Sequence, residues 1–162
     1  MSQAEITKMI RDQKQFPNLK YKIRENTTAF THRLFYTLFD HDTNVEENMI
    51  GLEKDFEELA NLVCWEPGQP CRDIWDQYCS KLPSILENLG KDAKEIYEND
   101  PSANSIEEVY LAYPGFFAIA VYRLSHEFYK MGLPLVPRLM AECAHRFTGV
   151  DINPGATIGV PF

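Results

Sequence analysis

The residue types best able to do chemistry in this chain are its four cysteines and four histidines, and their spacing matches no known reactive motif. The cysteines, at positions 64, 71, 79 and 143, show neither a Cys-x-x-Cys pair nor the short Cys/His spacing of a zinc site. We therefore predict no metal site. A chain with enough apolar residues for a core does not need disulfides, so we expect four reduced, structural thiols.

The histidines are predicted to be structural as well. His32, His41 and His145 are scattered along the chain without partners at ligand spacing. His126 lies near the apolar side of a predicted helix, where a lone histidine is usually a hydrogen-bonded core or interface residue. The sequence also lacks Gly-x-Ser-x-Gly, a phosphate-binding glycine loop and His-Glu-x-x-His, so hydrolase and nucleotide-enzyme functions have no support.

Two aspartates stand at positions where the backbone is expected to change direction. Asp100 precedes Pro101, which pushes the residue before it out of the helical region and predicts a helix end or turn. Asp151 opens the final segment of the sequence, where its carboxylate is suited to capping a loop by accepting backbone amides. Taken alone, both residues have ordinary structural explanations.

The final segment shows a hexapeptide rhythm. Ile152 and Ile158 are six residues apart, the residues between them are mainly small or turn-forming, and Gly159 follows the second isoleucine. This spacing is typical of a β-solenoid, in which every sixth side chain points to the axis. One and a half repeats cannot form a stable solenoid, because each unit buries its apolar face only against a neighbour.

The composition indicates a globular protein with one sizeable core, because 44% of its 162 residues are hydrophobic. A formal charge of −8 argues against nucleic-acid and anionic-membrane partners, which require clustered Lys and Arg. No stretch approaches 18 consecutive apolar residues, and the N-terminus lacks the features of a signal peptide. We therefore expect a cytoplasmic protein.

Residues before 149 show helical periodicity almost throughout, which predicts an all-α domain over residues 1–148 and a second domain over residues 149–162. We predict a helix at 3–14, one capped by Thr27 or Thr28, and one opened by a capping box that begins at Thr43. The loop at 66–70 ends the third. The next helix is expected to break near Pro83 and stop at Gly90, before a short polar helix at 91–98.

Further along the chain, a capping box at 105–108 and a break at 113–115 precede a strong helix that ends at 131–132. The last helix starts at Pro134 or Pro137 and runs to about Phe147. Six aromatic residues are assigned to the core and a subunit interface instead of a cofactor site: Phe30, Phe35, Phe39, Phe56, Trp65 and Trp75.

The last sixty residues resemble bacterial serine acetyltransferase, which makes O-acetylserine from L-serine and acetyl-CoA in cysteine biosynthesis. The likeness is carried by Asp-Pro at 100–101, Tyr-Pro-Gly-Phe at 113–116, Tyr-Arg at 122–123, His126 and the run Gly149–Gly159. Residue 153 is Asn where the family usually has His. The helices before Asp100 match the family in number and general character.

The resemblance implies a mainly α chain, in which a helical N-terminal domain leads into the beginning of a left-handed parallel β-helix. It also implies a trimer or a dimer of trimers. A histidine acts as general base on the serine hydroxyl, Asp151 matches the carboxylate that orients it, and Asp100 matches the one that binds the substrate amino group. Acetyl-CoA is a co-substrate, and no tightly bound cofactor is implied.

In the family, the catalytic Asp-His pair comes just after the segment that matches Ile158-Gly159. We therefore expect the 162 residues to lack the base, along with the C-terminal tail that docks on O-acetylserine sulfhydrylase, and to be inactive on their own. An alternative function is a non-catalytic helical module for oligomerisation or interaction. A third is a hexapeptide acyltransferase acting on a sugar or another alcohol.

Overall fold

The computed structural model of the chain describes residues 1–65 and 73–162. These residues form seven α-helices and no β-strand. The helices are α1 (Gln3–Asp12), α2 (Lys22–Phe39), α3 (Val45–Val63), α4 (Ile74–Asn99), α5 (Ile106–Ala112), α6 (Pro114–Lys130) and α7 (Val136–Thr148). The predicted all-α class is confirmed. The segment after α7 has no regular structure, so the predicted β-helix is not observed in it and stays a prediction.

The first helix stands apart from the core. It begins at a capping box in which the Ser2 hydroxyl and the Glu5 carboxylate each accept a backbone N–H, and it ends two residues before the predicted boundary. None of its residues is buried. Ile6, Met9 and Ile10 recur at helical spacing, and all three side chains are exposed. The apolar face of α1 is therefore open to solvent.

The core is an aromatic cluster that joins α2, α3, α4 and α6. Tyr78 stacks on Phe128 with ring centroids 3.7 Å apart, and Phe56 stacks on the same ring at 5.6 Å. Trp75 stacks on Phe56 and Tyr78, and Phe30 meets Trp75 in an edge contact. Among the remaining aromatic residues assigned to the core or an interface, Phe35 is buried, Phe39 packs against the core and Trp65 is half exposed.

Two predicted helix starts need correction. Helix α2 begins at Lys22, five residues before Thr27, because Ile23 is buried in its first turn. Both threonines are therefore inside the helix, where the Thr28 hydroxyl donates to the carbonyl of Arg24. Helix α3 is capped by Asn44 instead of Thr43, since the Asn44 side chain accepts the N–H of Glu47.

The predicted break in the fourth helix is wrong. Helix α4 runs without interruption from Ile74 to Asn99, with Pro83 and Gly90 inside it. Both residues weaken a helix in isolation, because proline removes a backbone donor and glycine costs entropy. Core contacts made by neighbouring residues outweigh these costs. The buried side chains that flank Pro83 and Gly90 are Leu82, Ile85, Leu89 and Ala93. The predicted loop at 66–70 lies outside the described residues.

The later boundaries agree with the sequence. The Ser105 hydroxyl accepts the N–H of Glu108 at the start of α5, and Pro114 opens α6. Leu135, with a φ of 61°, precedes α7, and Gly149, with a φ of 75°, ends it in the left-handed conformation. Helices α6 and α7 pack against each other more extensively than any other pair in the described part of the chain.

Candidate functional site

Asp100 occupies the C-terminal end of α4, as Pro101 predicted. Its N–H donates to the carbonyl of Ile96 at 3.0 Å, which is the last helical bond of α4, and its own carbonyl accepts from Ala103 at 3.1 Å. The backbone at Asp100 is extended, with φ −106° and ψ 105°. The chain turns here, which leaves the carboxylate at the helix end.

The Asp100 carboxylate is held by three hydrogen bonds. Its Oδ1 accepts from the N–H of Ser102 at 2.9 Å and from the Ser102 hydroxyl at 2.6 Å. Its Oδ2 accepts from the Tyr113 hydroxyl at 2.9 Å. Donation from the Ser102 hydroxyl, then from its N–H and from Tyr113, lowers the Asp100 pKa below its ordinary value. Asp100 is therefore an oriented anion at neutral pH.

Tyr113, which the sequence placed in a helix break and among the residues that carry the resemblance, also lines an aromatic cavity. The cavity has a volume of about 310 Å³ and lies between α2, α5, α6 and the end of α7. Its wall includes His32, Phe117 and Phe147, and the His32 ring packs on both phenylalanines. The Asp100 carboxylate is thus linked through Tyr113 to an open aromatic surface.

Asp151 lies in the C-terminal segment, which we define as residues 149–162. Its carboxylate is exposed and is 3.7 Å from Nη1 of Arg138 on α7. Two other side chains cap the backbone of this segment: the Thr148 hydroxyl accepts the N–H of Val150, and the Asn153 side chain accepts the N–H of Gly155. The structure gives Asp151 no such capping bond among the described residues.

The two predicted site residues have different side-chain partners within one chain. Asp100 is bound by Ser102 and Tyr113, whereas Asp151 faces Arg138.

The C-terminal segment is docked on α6 through its main chain. The Tyr122 hydroxyl donates to the carbonyl of Ala156 at 2.7 Å and accepts the N–H of Ile158 at 3.1 Å. One turn later, Nδ1 of His126 lies 2.7 Å from the carbonyl of Pro154, so this nitrogen must carry the proton. The predicted structural role of His126, as a hydrogen-bonded interface residue, agrees with this contact.

A buried ion pair extends the docking to the end of the segment. Arg123 on α6 donates both Nε and Nη2 to the carboxylate of Asp92 on α4, and both side chains are almost fully buried. The same Nη2 donates to the carbonyl of Gly159 at 2.9 Å, and the N–H of Phe162 donates to Asp92 at 2.9 Å. Helices α4 and α6 therefore hold the segment jointly.

Tyr122 and Arg123 were named from the sequence only as part of a resemblance, His126 was also predicted to be structural, and Asp92 was not predicted at all. A signal was available for three of them. Tyr122 and His126 are four residues apart and so share a helix face, and an arginine among the apolar residues of α6 requires a carboxylate partner. Nothing in the sequence distinguished Asp92 from the other acidic residues of α4.

The cysteines and His32 show no activated group. Burial raises the pKa of Cys79 to about 11, and the negative charges of Asp76 and Glu53 act in the same direction. Burial also raises the pKa of Cys143, whose Sγ lies 3.7 Å from Nε2 of His32, and lowers the pKa of His32. Cys79 and the neighbouring pair of Cys143 and His32 are therefore neutral near pH 7.

The prediction of reduced cysteines is correct for Cys79 and Cys143, which are free, and wrong for Cys64, which is disulfide-bonded. The expectation rested on the size of the core, but a disulfide needs only a suitably placed second cysteine. Cys71 lies outside the described residues.

Among the residues that are described, no group of three or more His, Cys, Asp or Glu side chains is arranged to hold a metal ion. No helix in the same ranges is long and apolar enough to cross a bilayer.

No protein-family model matches the chain. Among curated proteins, the plasmid serine acetyltransferase of Synechococcus elongatus is 43% identical over 94 residues, which are 58% of this chain and 30% of that protein. The serine acetyltransferase of Synechocystis sp. is 47% identical over 75 residues, which are 46% of this chain and 30% of that protein. The chain thus spans about a third of the length of these relatives.

A similar fold is found among solved structures. Serine acetyltransferase 1 of Entamoeba histolytica, crystallised in complex with L-cysteine, matches 82% of this chain and 52% of its own length, with a TM-score of 0.61 and 28% identity. Isoform 3 from the same organism matches 88% of this chain and 51% of its own, with a TM-score of 0.63 and 24% identity, which shows the fold alone. In sequence and in the arrangement of its helices, the chain is similar to serine acetyltransferases, which confirms the resemblance indicated by its motifs.

Proposed function

We propose that this chain is the helical part, with the first residues of the acyltransferase domain, of a serine O-acetyltransferase. The observation that carries the proposal is the 43% identity over 94 residues to a serine acetyltransferase. The reaction would transfer the acetyl group of acetyl-CoA to the hydroxyl of L-serine. The serine oxygen forms a bond to the thioester carbon, the carbon–sulfur bond breaks, and O-acetylserine and CoA are released.

In this proposal Asp100 binds the substrate ammonium group. Its carboxylate is ionised at neutral pH and is held in place by Ser102 and Tyr113. An ammonium group bound to an ionised carboxylate forms a short, directional, charge-assisted hydrogen bond. The three existing bonds orient the carboxylate before substrate arrives, so little ordering is left to the binding step.

Asp151 is proposed to orient the general base. A serine hydroxyl is poorly nucleophilic at neutral pH, so a histidine must take its proton as the new bond forms, and a carboxylate fixes the tautomer of that histidine. The proton then passes from the histidine to the departing thiolate. The family's base follows the segment that matches Ile158-Gly159, so we propose that the 162 residues contribute both carboxylates but not the base.

The remaining parts of the proposal follow from the same resemblance. The C-terminal segment would begin a left-handed parallel β-helix, and active sites would form between neighbouring β-helices of a trimer or a dimer of trimers. Acetyl-CoA would be a co-substrate without a tightly bound cofactor, and a C-terminal tail would bind O-acetylserine sulfhydrylase.

A second candidate function is favoured by α1. Its side chains Ile6, Met9 and Ile10 are exposed at helical spacing, and no residue of α1 is buried. An amphipathic helix of this kind buries its apolar face when another helix packs on it. We therefore retain a non-catalytic helical module for oligomerisation as the alternative to an enzyme.

Acetyl transfer by the product of the complete gene tests both candidates. We expect release of the CoA thiol that depends on L-serine, with Asp151→Asn lowering kcat about 10²- to 10⁴-fold. Asp100→Asn should raise KM for serine about 10- to 100-fold, because a charge-assisted hydrogen bond is lost. Asp42→Ala, in the exposed α2–α3 connection, is the control and should change neither constant.

The outcomes separate the candidates clearly. An oligomer that shows no serine-dependent release of CoA would support the module and contradict the enzyme. Normal kinetics in both Asn variants would contradict the residue roles while leaving the activity intact. The 162-residue polypeptide alone should show no turnover under the same assay.

A further inference from the structure

The C-terminal segment has almost no hydrogen bonds of its own between main-chain groups. In the described structure, the N–H of Ala156 donates to the carbonyl of Asn153 at 2.9 Å, and the segment forms neither helix nor strand. Backbone groups near a protein surface still need partners. Beyond Thr148 and Asn153, those partners come from side chains of α6 and α4, so the path of residues 154–162 depends on these helices.

Tyr122 makes two of these contacts with a single oxygen. It is 3% exposed, and its hydroxyl bridges the carbonyl of Ala156 and the N–H of Ile158, on either side of Thr157. Because this hydroxyl both donates and accepts, it fixes the direction of the main chain as well as its position. A phenylalanine would fill the same space but would leave both main-chain groups without this partner.

Of the contacts made by α6, that of His126 lies nearest to Asp151 in sequence. Its ring stacks on that of Tyr122 at 5.4 Å, and its Nδ1 donates to the carbonyl of Pro154, three residues after Asp151. On the other side of Asp151, Gly149 is fixed as the left-handed cap of α7. The backbone that carries Asp151 is thus anchored at both ends, only five residues apart.

The Asp151 side chain itself contributes little to its own placement. It is exposed, and its described partner, Arg138, is also largely exposed and 3.7 Å away. Ion pairs of this kind contribute little free energy. The position of the carboxylate is therefore set by the main chain between Gly149 and Pro154.

From these contacts we propose that Tyr122 and His126 are positioning residues for Asp151. They fix the main chain of the C-terminal segment, and through it the place from which the Asp151 carboxylate meets the general base. This role rests on the proposed acetyl transfer. It needs no contact of either residue with substrate, because a displacement of about 1 Å in a supporting residue can lower a rate about 100-fold.

Tyr122→Phe in the product of the complete gene tests the proposal with two readouts. We expect the amide of Ile158 to exchange its hydrogen about tenfold faster, because its acceptor is lost. We also expect kcat to fall about 10- to 100-fold while KM for serine stays unchanged, since the hydrogen bonds that hold Asp100 come from Ser102 and Tyr113 and not from Tyr122. Tyr97→Phe is the matched control: Tyr97 is 40% exposed on α4, and no side-chain bond joins it to another described residue.

A second pair of variants guards against a general loss of packing. His126→Phe keeps the stacked ring but removes the donor, so it should reproduce the effect of Tyr122→Phe. His126→Asn places an amide nitrogen near the position of Nδ1 and should restore part of kcat. A loss of kcat that is the same in both His126 variants would overturn the positioning role.

Each remaining outcome also decides the question. Unchanged exchange at Ile158 in Tyr122→Phe would show that the bridge does not hold the segment. Faster exchange with an unaltered kcat would show that the bridge holds the segment without positioning Asp151. If the unsubstituted protein transfers no acetyl group, the proposed function fails and the positioning role with it, whereas the exchange rates still show whether the segment is held.

Discussion

At the scale of single residues, several of the side chains whose types suggest reactivity are held in an unreactive form. The thiols of Cys79 and Cys143 are kept protonated by burial. Asp100 is an exception, because the hydroxyl of Ser102 and then its N–H keep it ionised and oriented. Local hydrogen bonding thus keeps this candidate binding carboxylate ionised, as it also does for Glu107 and Glu108.

The burial of His32 should make the stability of the folded chain depend on pH. Burial lowers its folded-state pKa below the ordinary value of 6.5, so the unfolded chain binds a proton first as the solution is acidified. Its contribution to stability is therefore fully present above pH 6.5 and is lost as the pH falls from 6.5 through the folded-state pKa. We expect the urea midpoint of this chain to decrease between pH 7.5 and 5.5, and to decrease less in His32→Gln.

His41→Gln is the control for this prediction, because His41 lies exposed between α2 and α3. It should leave the slope of stability against pH unchanged. If the slope in His32→Gln equalled that of the unsubstituted chain, another group would be responsible for the pH dependence.

At the scale of elements, most helices were predictable from periodicity and capping residues, and the errors have a common physical cause. The starts of α5 and α6 follow from Ser105 and Pro114, which act locally. The continuity of α4 through Pro83 and Gly90 does not, because it depends on burial against helices distant in sequence. Intrinsic propensity is a weak determinant when tertiary contacts oppose it.

Asp100 and Asp151 were identified from sequence through motifs, whereas the Asp100–Tyr113 hydrogen bond and the Asp92–Arg123 ion pair were not predicted. Tyr113 lies 13 residues after Asp100, and Arg123 lies 31 residues after Asp92. Such pairings arise from how α4, α5 and α6 pack, which no local pattern encodes. The aromatic cavity beside Tyr113 is a product of the same packing.

Replacing a glycine by alanine should have opposite effects on stability inside helix α4 and at the C-terminal cap of helix α7. Gly90 lies inside α4 with open space where a Cβ would stand, so Gly90→Ala should raise the free energy of unfolding by about 0.5–1 kcal/mol. Gly149 also has open space, but its φ of 75° strains any residue with a side chain, so Gly149→Ala should lower it by about 1 kcal/mol.

Urea denaturation of both variants measures these changes. The pair controls for the added methyl group, because both sites are open and only the backbone conformation differs. A destabilised Gly90→Ala variant would contradict the continuity of α4 at that residue.

At the scale of the whole molecule, the ion pair of Arg123 and Asp92 joins two core helices to the C-terminal segment. Removing one partner of a buried pair leaves an uncompensated charge, so Asp92→Asn should lower the free energy of unfolding by about 3–5 kcal/mol. Glu87→Gln, which removes the exposed partner of Lys91 on the same helix, should change it far less, because solvent screens exposed ion pairs.

Urea denaturation again measures both values, with hydrogen exchange at the Phe162 amide as a second observable. Asp92→Asn should speed that exchange, because Phe162 donates to the Asp92 carboxylate. Equal stability of Asp92→Asn and Glu87→Gln would show that the pair does not stabilise the folded chain.

The docking of the C-terminal segment has a consequence for how its sequence can vary. Within residues 154–162, only peptide groups are hydrogen-bonded by the four side chains that hold the segment, which are those of Tyr122, Arg123, His126 and Asp92. Every amino acid supplies the same carbonyl, and all but proline supply the same amide. Natural or engineered variants can therefore exchange exposed side chains such as Thr157 with little penalty, whereas the four residues that hold this stretch have few acceptable replacements.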